Sequence, residues 1–381
     1  MNKIEELIEK LCPDGVEFRE LGEVVDILRG SRLTKNMLSS KEQYPVFHGG
    51  LEPLGCYGQS NRKANTVMVI NVGASAGTVG YSFVDFWSSD GCYCIGSSEL
   101  LVNRFVYYAL LCNEDILRSK VRVAGIPTLD SLAVKKIQIP IPPLAIQQEI
   151  VKILDSFIHL EAELEAELEA RKKQYEYYRN DLLNFEGKEV EWKLLGEVGK
   201  VCMCKRVMKH ETKIVGDIPF YKIGTFGKNA DAYISNELYD DYKRRFSFPK
   251  VGEVLISASG TIGRTVIFNG EPAYFQDSNI VWISNDESFV TNKFLFHYYK
   301  IVEWKTDGGT ISRLYNDNLS KTKIPIPPLA KQERIVTMLD KFDALVNDTS
   351  MGLPAEIQAR RKQYEFYRGK LLDFKNVNAV N

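Results

Sequence analysis

From position 150 to 185 apolar residues return at alternating intervals of three and four: Ile150, Leu154, Phe157, Leu164, Leu168, Tyr175, Tyr178, Leu182 and Phe185, with Glu161 and Arg171 as the interruptions. This spacing predicts one long helix with a narrow coiled-coil seam. Its polar face, EAELEAELEA, is built from strong helix formers. At ~1.5 Å per residue, positions 147–185 would span roughly 55–60 Å. A helix of that length with a single apolar stripe needs a partner. A second stripe supplies one: Ile335, Leu339, Phe342, Val346, Leu353, Ile357, Tyr364, Tyr367, Leu371 and Phe374. Its register slips by four residues near Leu353, beside Gly352 and Pro354, so a kink or restart is expected there, with Pro354 in a first turn. Ahead of each stripe stands IPIPPLA, at 139–145 and 324–330, an extended lead-in that proline keeps from being helical. The short runs Val67-Met68-Val69-Ile70 and Val254-Leu255-Ile256 read as buried strands entering glycine-rich turns. Phe105 to Leu111 and Phe294 to Tyr299 read as amphipathic helices.

Much of this pattern occurs twice. ARKKQYEYYRNDLLNF at 170–185 returns as ARRKQYEFYRGKLLDF at 359–374 with 11 of 16 positions identical. VEFRELGEVV at 16–25 returns as VEWKLLGEVG at 190–199, and SAGTVG at 75–80 as ASGTIG at 258–263. One unit has been duplicated, over about 16–185 and 190–374. Identity is high at the ends of each copy and nearly absent in the middle, roughly 26–72 against 200–255. The ends therefore do a shared job and the middles two different ones. An N-terminal helix candidate around Ile4-Glu5-Glu6-Leu7-Ile8 precedes the first VEFRELGEV much as a repeat end precedes the second, so the termini of the duplicated array are expected to lie close together. The expected architecture is α+β: a helix over 1–15, globular α/β domains over 16–143 and 190–328, and spacer helices over 144–189 and 329–375. Because each helix follows its own globular half, the two helices should run antiparallel in a pseudo-two-fold repeat.

Composition narrows the classes. A chain of 381 residues suits two or more domains, and no apolar run is long enough to cross a bilayer. MNKIEELIEK is acidic and amphipathic, unlike a secretory signal. Seven cysteines without framework spacing point to a reducing cytoplasm. The pairs Cys92/Cys94 and Cys202/Cys204 put thiols on one strand face and read as packing rather than as a zinc site. Net charge is -1, with no overall basic signature for nucleic acid, but residues 16–138 carry +1, 190–323 carry +3 and 147–185 carry -4.

Catalytic motifs are not found. GASAGTVG at 73–80 lacks the Lys-Ser/Thr of a phosphate loop, and its glycines suit a strand-to-strand turn. No G-x-G-x-x-G follows a strand. The prolines of IPPL lack the Asn or Asp that an amino-methyltransferase places before its Pro-Pro. His48, His159, His210 and His297 show no metal-pair spacing. Glu191-Trp192-Lys193 has a nuclease-like Glu-x-Lys without a preceding Pro-Asp and reads as a strand. No metal and no cofactor is expected. Binding chemistry remains, as polar-basic clusters in the divergent middles. The first middle offers Arg29, Ser31, Arg32 and Lys35, then Asn61, Arg62 and Lys63. The second offers Lys205, Arg206, Lys209 and His210, then Lys222, Lys228 and Asn229, then Lys243, Arg244 and Arg245, with Arg264 after the glycine turn. Arg and Lys neutralise phosphates, and Arg also reads guanine edges. A solvated charged face is the competing reading for each.

The whole pattern resembles the specificity subunits of type I restriction-modification systems. The resemblance rests on IPIPPL before a Gln-containing helix start (Gln147-Gln148-Glu149; Lys331-Gln332-Glu333), on the ARxKQYExYR helix ends, on the Gly-Thr-Val/Ile-Gly turns and on the divergent middles. It implies that each middle is a target-recognition domain reading half of a split site in double-stranded DNA. It further implies that the helices set the gap between halves, that two methyltransferase subunits dock along them, and that restriction/translocase subunits join through those. Methylation and ATP-driven cleavage would then belong to partners, and this chain would be non-catalytic. Two other classes stay open on the sequence: an adaptor with two protein-binding domains on a coiled-coil strut, and an enzyme with a nuclease hidden in one middle.

Overall fold

The apolar runs at 67–70 and 254–256 become central strands in two sheets of the same design. The computed structural model describes residues 2–307 and 312–378. The chain divides into two compact units, Met1–Glu165 with Glu356–Asn381, and Ala166–Ala355.

Unit 1 opens with helix α1 (Asn2–Leu11), whose Ile4 is buried. Its strands are β1 (Phe18–Glu20), β2 (Ile27–Arg29), β3 (Tyr44–Phe47), β4 (Cys56–Tyr57), β5 (Thr66–Ile70), β6 (Val79–Ser82), β7 (Trp87–Ser88), β8 (Cys92–Ile95) and β9 (Gln138–Pro140). They form an antiparallel sheet in the order β2-β8-β5-β6, a mixed sheet β4-β3-β7 with β3 and β7 parallel, and a β1-β9 pair. Short helices α2 (Leu21–Val24), α3 (Asn103–Cys112), α4 (Glu114–Ser119) and α5 (Ser131–Lys135) complete it, and the IPIPPL lead-in delivers the chain to α6 (Leu144–Leu183). The apolar stripe from Ile150 to Leu182 is thus carried on one unbroken helix of 40 residues, which ends at Leu183 so that Phe185 lies beyond it.

Unit 2 repeats the plan. β10 (Glu191–Leu194) and α7 (Leu195–Val198) lead to β11 (Gly199–Cys202), β12 (Ile218–Tyr221) and β13 (Tyr233–Ile234). Then come α8 (Asn236–Arg245), β14 (Val254–Ser257), β15 (Thr265–Ile267), β16 (Tyr274–Phe275) and β17 (Ile280–Asn285). The unit closes with α9 (Asn292–Tyr298), α10 (Asn316–Ser320), β18 (Lys323–Ile326) and α11 (Leu329–Asn347). The sheets are β11-β17-β14-β15 and β13-β12-β16, with β12 and β16 parallel, and β10 pairs with β18. The divergent middles therefore share one scaffold, and α8 is an addition of the second.

The ladders also correct the register of the repeat. Met68 and Leu255 hold the same position, opposite Cys94 and Trp282. Across the turn Val79 faces Val69 and Thr265 faces Ile256, so two residues back Gly77 corresponds to Gly263, not to Gly260 as the SAGTVG/ASGTIG match suggests. Gly77 and Gly263 both have positive φ (90° and 80°), and each donates its N–H to the carbonyl that ends the central strand, Ile70 at 2.8 Å and Ser257 at 3.0 Å. The fixed need is a left-handed residue at that hydrogen bond.

The helical stripe of 335–374 restarts where expected: α11 ends at Asn347, α12 (Leu353–Leu372) begins after a turn, and Pro354 is in its first turn. In unit 1 the start of α6 lies antiparallel to α12, with Phe157 stacked on Tyr367 (5.5 Å) and Arg361 bonded to Glu161 and Glu165 (both 2.5 Å). In unit 2 the end of α6 lies antiparallel to α11, with Tyr178 stacked on Phe342 (5.6 Å) and the Tyr175 hydroxyl on Asp343 (3.0 Å). Past α12 the chain returns to the beginning of unit 1. Val16 N–H donates to the Lys375 carbonyl (2.8 Å) and Val377 N–H to that of Val16 (3.0 Å). Gly15 (φ 112°) permits the approach, since a Cβ there would lie 2.3 Å from the Lys375 oxygen. Unit 1 has the element order of unit 2 with the chain's start set inside it.

Two polar contacts fix each long helix to its own domain. Gln147, fully buried, accepts from Val102 N–H (2.8 Å) and donates to the carbonyls of Leu100 (2.8 Å) and Pro142 (2.7 Å). Gln332 does the same with Thr291 (2.9 Å), Phe289 (2.8 Å) and Pro327 (2.8 Å). About two turns further on in each helix, Asp155 accepts from Tyr108 and Arg104, and Asp340 meets His297 and Lys293. Arg104 is half-sandwiched by the rings of Tyr81, Phe83, Tyr107 and Tyr108 at 4.6–5.0 Å.

His297 gives unit 2 a pH response that Tyr108 does not give unit 1. Burial holds its pKa below 6.5, against the pull of Asp340, with the Lys300 charge adding to the lowering. Asp340, which burial alone would raise, is held low by Lys293 and His297. The unfolded chain takes up the histidine proton near 6.5 and the folded chain resists it. Stability of unit 2 is therefore present above that pH and falls as pH drops through it, by up to about 1.4 kcal/mol per pH unit. His297→Gln keeps a donor to Asp340 and should remove this slope in hydrogen exchange of α9 between pH 7 and 5.5. An unchanged slope would assign the effect elsewhere.

Candidate DNA interface

At one end of each four-stranded sheet three loops meet: the exit of the first strand, the turn after the central strand, and the approach to the last. In unit 1 these are 30–32, 71–73 and 89–91, joined by Gly30 N–H to the Cys92 carbonyl (3.3 Å) and Asn71 N–H to the Gly91 carbonyl (3.1 Å). In unit 2 they are 203–206, 258–260 and 277–279, joined by Ala258 N–H to the Asn279 carbonyl (2.7 Å). Leu28 and Cys202 hold equivalent ladder positions opposite Cys94 and Trp282, so Arg32 and Arg206 stand at the same place, four residues beyond. The parallel pairs β3-β7 and β12-β16 likewise make Asp90 and Asp277 equivalent. Asp90 meets His48 (3.3 Å) and Asp277 meets Arg206 (2.8 Å). Ser278, between Asp277 and Asn279, is left-handed (φ 54°), a costly conformation for serine that the loop holds at this edge.

The sequence candidates divide by what already holds them. Arg29, Ser31, Arg32 and Lys35 are exposed, and among the described residues the side chains of Arg29, Arg32 and Lys35 have no hydrogen-bond or ion-pair partner. The backbone beneath them is fixed: Trp87 Nε1 donates to the Ser31 carbonyl (2.7 Å) and Arg62 to the Arg29 carbonyl (2.9 Å). Lys35 lies farther on, in a 3-10 turn (Lys35–Met37). Asn61 is engaged with Ser88 through both its amide nitrogen (3.0 Å) and its oxygen (2.7 Å), and Arg62 also donates to the Asn61 carbonyl (2.7 Å). These two residues build the platform under the Arg29–Arg32 loop. Lys63 pairs with Asp85 (3.1 Å), toward the opposite sheet end, where Thr66 faces Ser82.

In unit 2, Lys205 lies over the ring of Phe246 (5.2 Å), which Arg245 also covers (5.2 Å). The last turn of α8 is thereby brought to the sheet end. Glu211 bonds Tyr242 (3.3 Å) and draws the turn carrying Lys209 and His210 against the same helix. Arg244 (3.1 Å) and Arg245 (2.7 Å) share Asp241, and Lys243 sits between the rings of Tyr239 and Phe248 (both 5.2 Å). Around the loop after β12, Lys222 pairs with Asp231 (2.9 Å), Arg264 donates to the Phe226 carbonyl (2.9 Å), and Lys228 and Asn229 are exposed. The cysteine pairs sit in or next to strands, and burial pushes the Cys204 thiol up to about 12.

Sequence reading passed over Arg313, Asn279 and Arg122. Arg313 donates to Asn279 (3.1 Å) and bridges Ser259, and Arg122 pairs with Thr128 in the corresponding segment of unit 1. Only the ladder equivalences single them out.

Comparison with known proteins gives the family. The family model for the type I restriction modification DNA specificity domain matches residues 13–170 and again 187–359. A Haemophilus influenzae protein assigned as a type I restriction enzyme specificity subunit is 47% identical, over 96% of this chain and 98% of its own. The type I restriction enzyme EcoR124I/EcoR124II specificity subunit of Escherichia coli is 36% identical over 65% of each chain. The crystal structure of a type I restriction-modification S subunit from Mycoplasma genitalium has the same fold, with a TM-score of 0.61 at 17% identity over 94% of this chain and 97% of that one. The chain belongs to the type I restriction-modification DNA specificity family, with one specificity domain in each half. Its role is that of a specificity subunit, and the adaptor class is set aside.

Proposed function

We propose that the loop ends of the two four-stranded sheets are the DNA-reading surfaces, each taking one half of a bipartite site. The target-recognition domains are then 16–143 and 190–328, and the spacer helices 144–189 and 329–375. The observation that carries this reading is the equivalence of Arg32 and Arg206, cations placed at the same sheet end by unrelated local sequences. Arg29, Ser31, Arg32, Lys205, Arg206, Arg264, Lys228 and Asn229 lie within reach of bases. Lys35, Lys209, Lys222, Lys243, Arg244 and Arg245 serve phosphates, Asn61 and Arg62 act through the backbone that they hold, and Lys63, paired with Asp85 at the opposite sheet end, stands off this surface.

The chain is non-catalytic, needs no cofactor of its own and works in the cytoplasm; none of its described helices is long and apolar enough to cross a membrane. Two methyltransferase subunits dock along the helices, and restriction/translocase subunits join through them. Support comes from the twofold occurrence of one helix surface. Arg171 bonds Gln174 (2.8 Å) as Arg360 bonds Gln363 (3.1 Å), and Tyr177 and Phe366 are exposed at matching positions.

The test is binding of the purified chain to a duplex across a salt series. Arg29→Ala with Arg32→Ala is expected to weaken the preferred duplex by about 1–3 kcal/mol per lost base contact and to relax its base preference, with little change in the salt slope. Alanine at Lys243, Arg244 and Arg245 should flatten that slope by only about one, because Asp241 already holds two of the three. A base preference unmoved by the first change, or a slope unmoved by the second, would refute the assignment. Turnover of DNA by the chain alone, with S-adenosylmethionine, ATP and Mg²⁺, would refute the non-catalytic role.

A further inference from the structure

We propose that the hairpin Arg122–Thr128 of unit 1 is an apolar wedge that enters a base step of the bound duplex. The inference rests on the DNA-reading role given above to this sheet end.

Val123 is 80% exposed and Ile126 70%, on either side of Gly125, whose φ of 82° turns the tip. Free apolar tips of this kind are usually loose, but this one is braced. Arg122 and Thr128 exchange both backbone hydrogen bonds (2.9 and 3.1 Å), and the Thr128 hydroxyl donates to the Ile126 carbonyl (2.9 Å). Gly73 N–H donates to the Pro127 carbonyl and Leu129 N–H to that of Asn71 (both 2.9 Å). The brace is the same 71–73 turn that bonds Gly91, so the tip stands in one row with the Arg29–Arg32 loop. Two β-branched side chains are held rigid in water with their ordering cost already met.

Chemistry selects the occupant. Lys120 and Arg122, both exposed, lead into the tip on its first arm and suit the phosphates beside a step. The tip, Val-Ala-Gly-Ile-Pro, has no side-chain donor or acceptor and so reads no base edge by hydrogen bonding. Apolar side chains inserted between base pairs unstack a step and favour flexible pyrimidine–purine sequences.

The experiment selects duplexes from a random library with the full chain, then scans 2-aminopurine through the winning duplex. One step in or beside one half-site should brighten several-fold on binding. Val123→Ser with Ile126→Ser should abolish that signal and weaken binding about tenfold, with base preferences elsewhere retained. Ile214→Ser with Val215→Ser should change neither. That pair is as exposed but precedes β12, at the strand end away from Gln276. A winning duplex that brightens at no step overturns the wedge and leaves DNA reading intact, as does a Val123/Ile126 variant with full signal and affinity. Loss of a single thymine preference without any brightening shows a methyl contact instead and also overturns it. If the wild-type chain selects no sequence, the DNA-reading role fails and the wedge with it.

Discussion

Gln147→Leu is expected to destabilise unit 1 by on the order of 3 kcal/mol, and Gln332→Leu to do the same to unit 2. Each amide is wholly buried and meets three backbone groups, one N–H and two carbonyls. Leucine of similar size fills the space but leaves those groups facing apolar carbon, and an unpaired buried group costs about 1–3 kcal/mol. Glutamate would not rescue, because its carboxylate keeps the acceptor for Val102 or Thr291 and turns a charge toward two carbonyls. Urea melts with hydrogen exchange at α3 and α9 read the loss unit by unit. A change below about 1 kcal/mol would mean that the surrounding apolar contacts, not the amide, hold the helix.

Exchanging residues 26–135 for the same segment of a relative should replace one half-site and leave the other, a shift of about 1–3 kcal/mol at each base pair whose reader is lost. The clamp explains why the graft should fold. Gln147 grips Val102 N–H and the Leu100 carbonyl, backbone groups that any sequence supplies, and the rest of the junction, the β1-β9 ladder and α6, stays in place. The two middles of this chain already show that sequences with little identity occupy one scaffold of four plus three strands. Duplex selection before and after the exchange checks the outcome. Preferences that move in both halves at once would mean that the units do not read independently.

Much of this was legible in the chain. The apolar runs at 67–70 and 254–256, the helical seam from Ile150 to Leu182 and the restart at Pro354 follow from periodicity and proline geometry, which act locally. The duplication was visible as identity in the ends. The common scaffold of the middles was not, because strand pairing is satisfied by backbone groups and leaves the side chains free to differ. For the same reason the glycine turns matched by eye, at Gly77 and Gly260, differ from those matched by ladder, at Gly77 and Gly263. Among the cations, sequence could not separate Arg32, which is exposed and has no partner among the described residues, from Arg62, whose guanidinium is bonded to two carbonyls. The aromatic shelf of Phe246 under Lys205 and Arg245 depends on α8, whose helix pattern is short and polar and passed unread.

The central claim is that each unit reads its own half of one split site. It is tested most directly by sequencing methylated bases in cells that carry this chain with the methyltransferase subunits proposed to dock on it, using the wild type and the 26–135 exchange. The account predicts one motif of two half-sites at a fixed gap, with a single half altered by the exchange and the gap preserved. One uninterrupted motif, or an exchange that alters both halves, would contradict it.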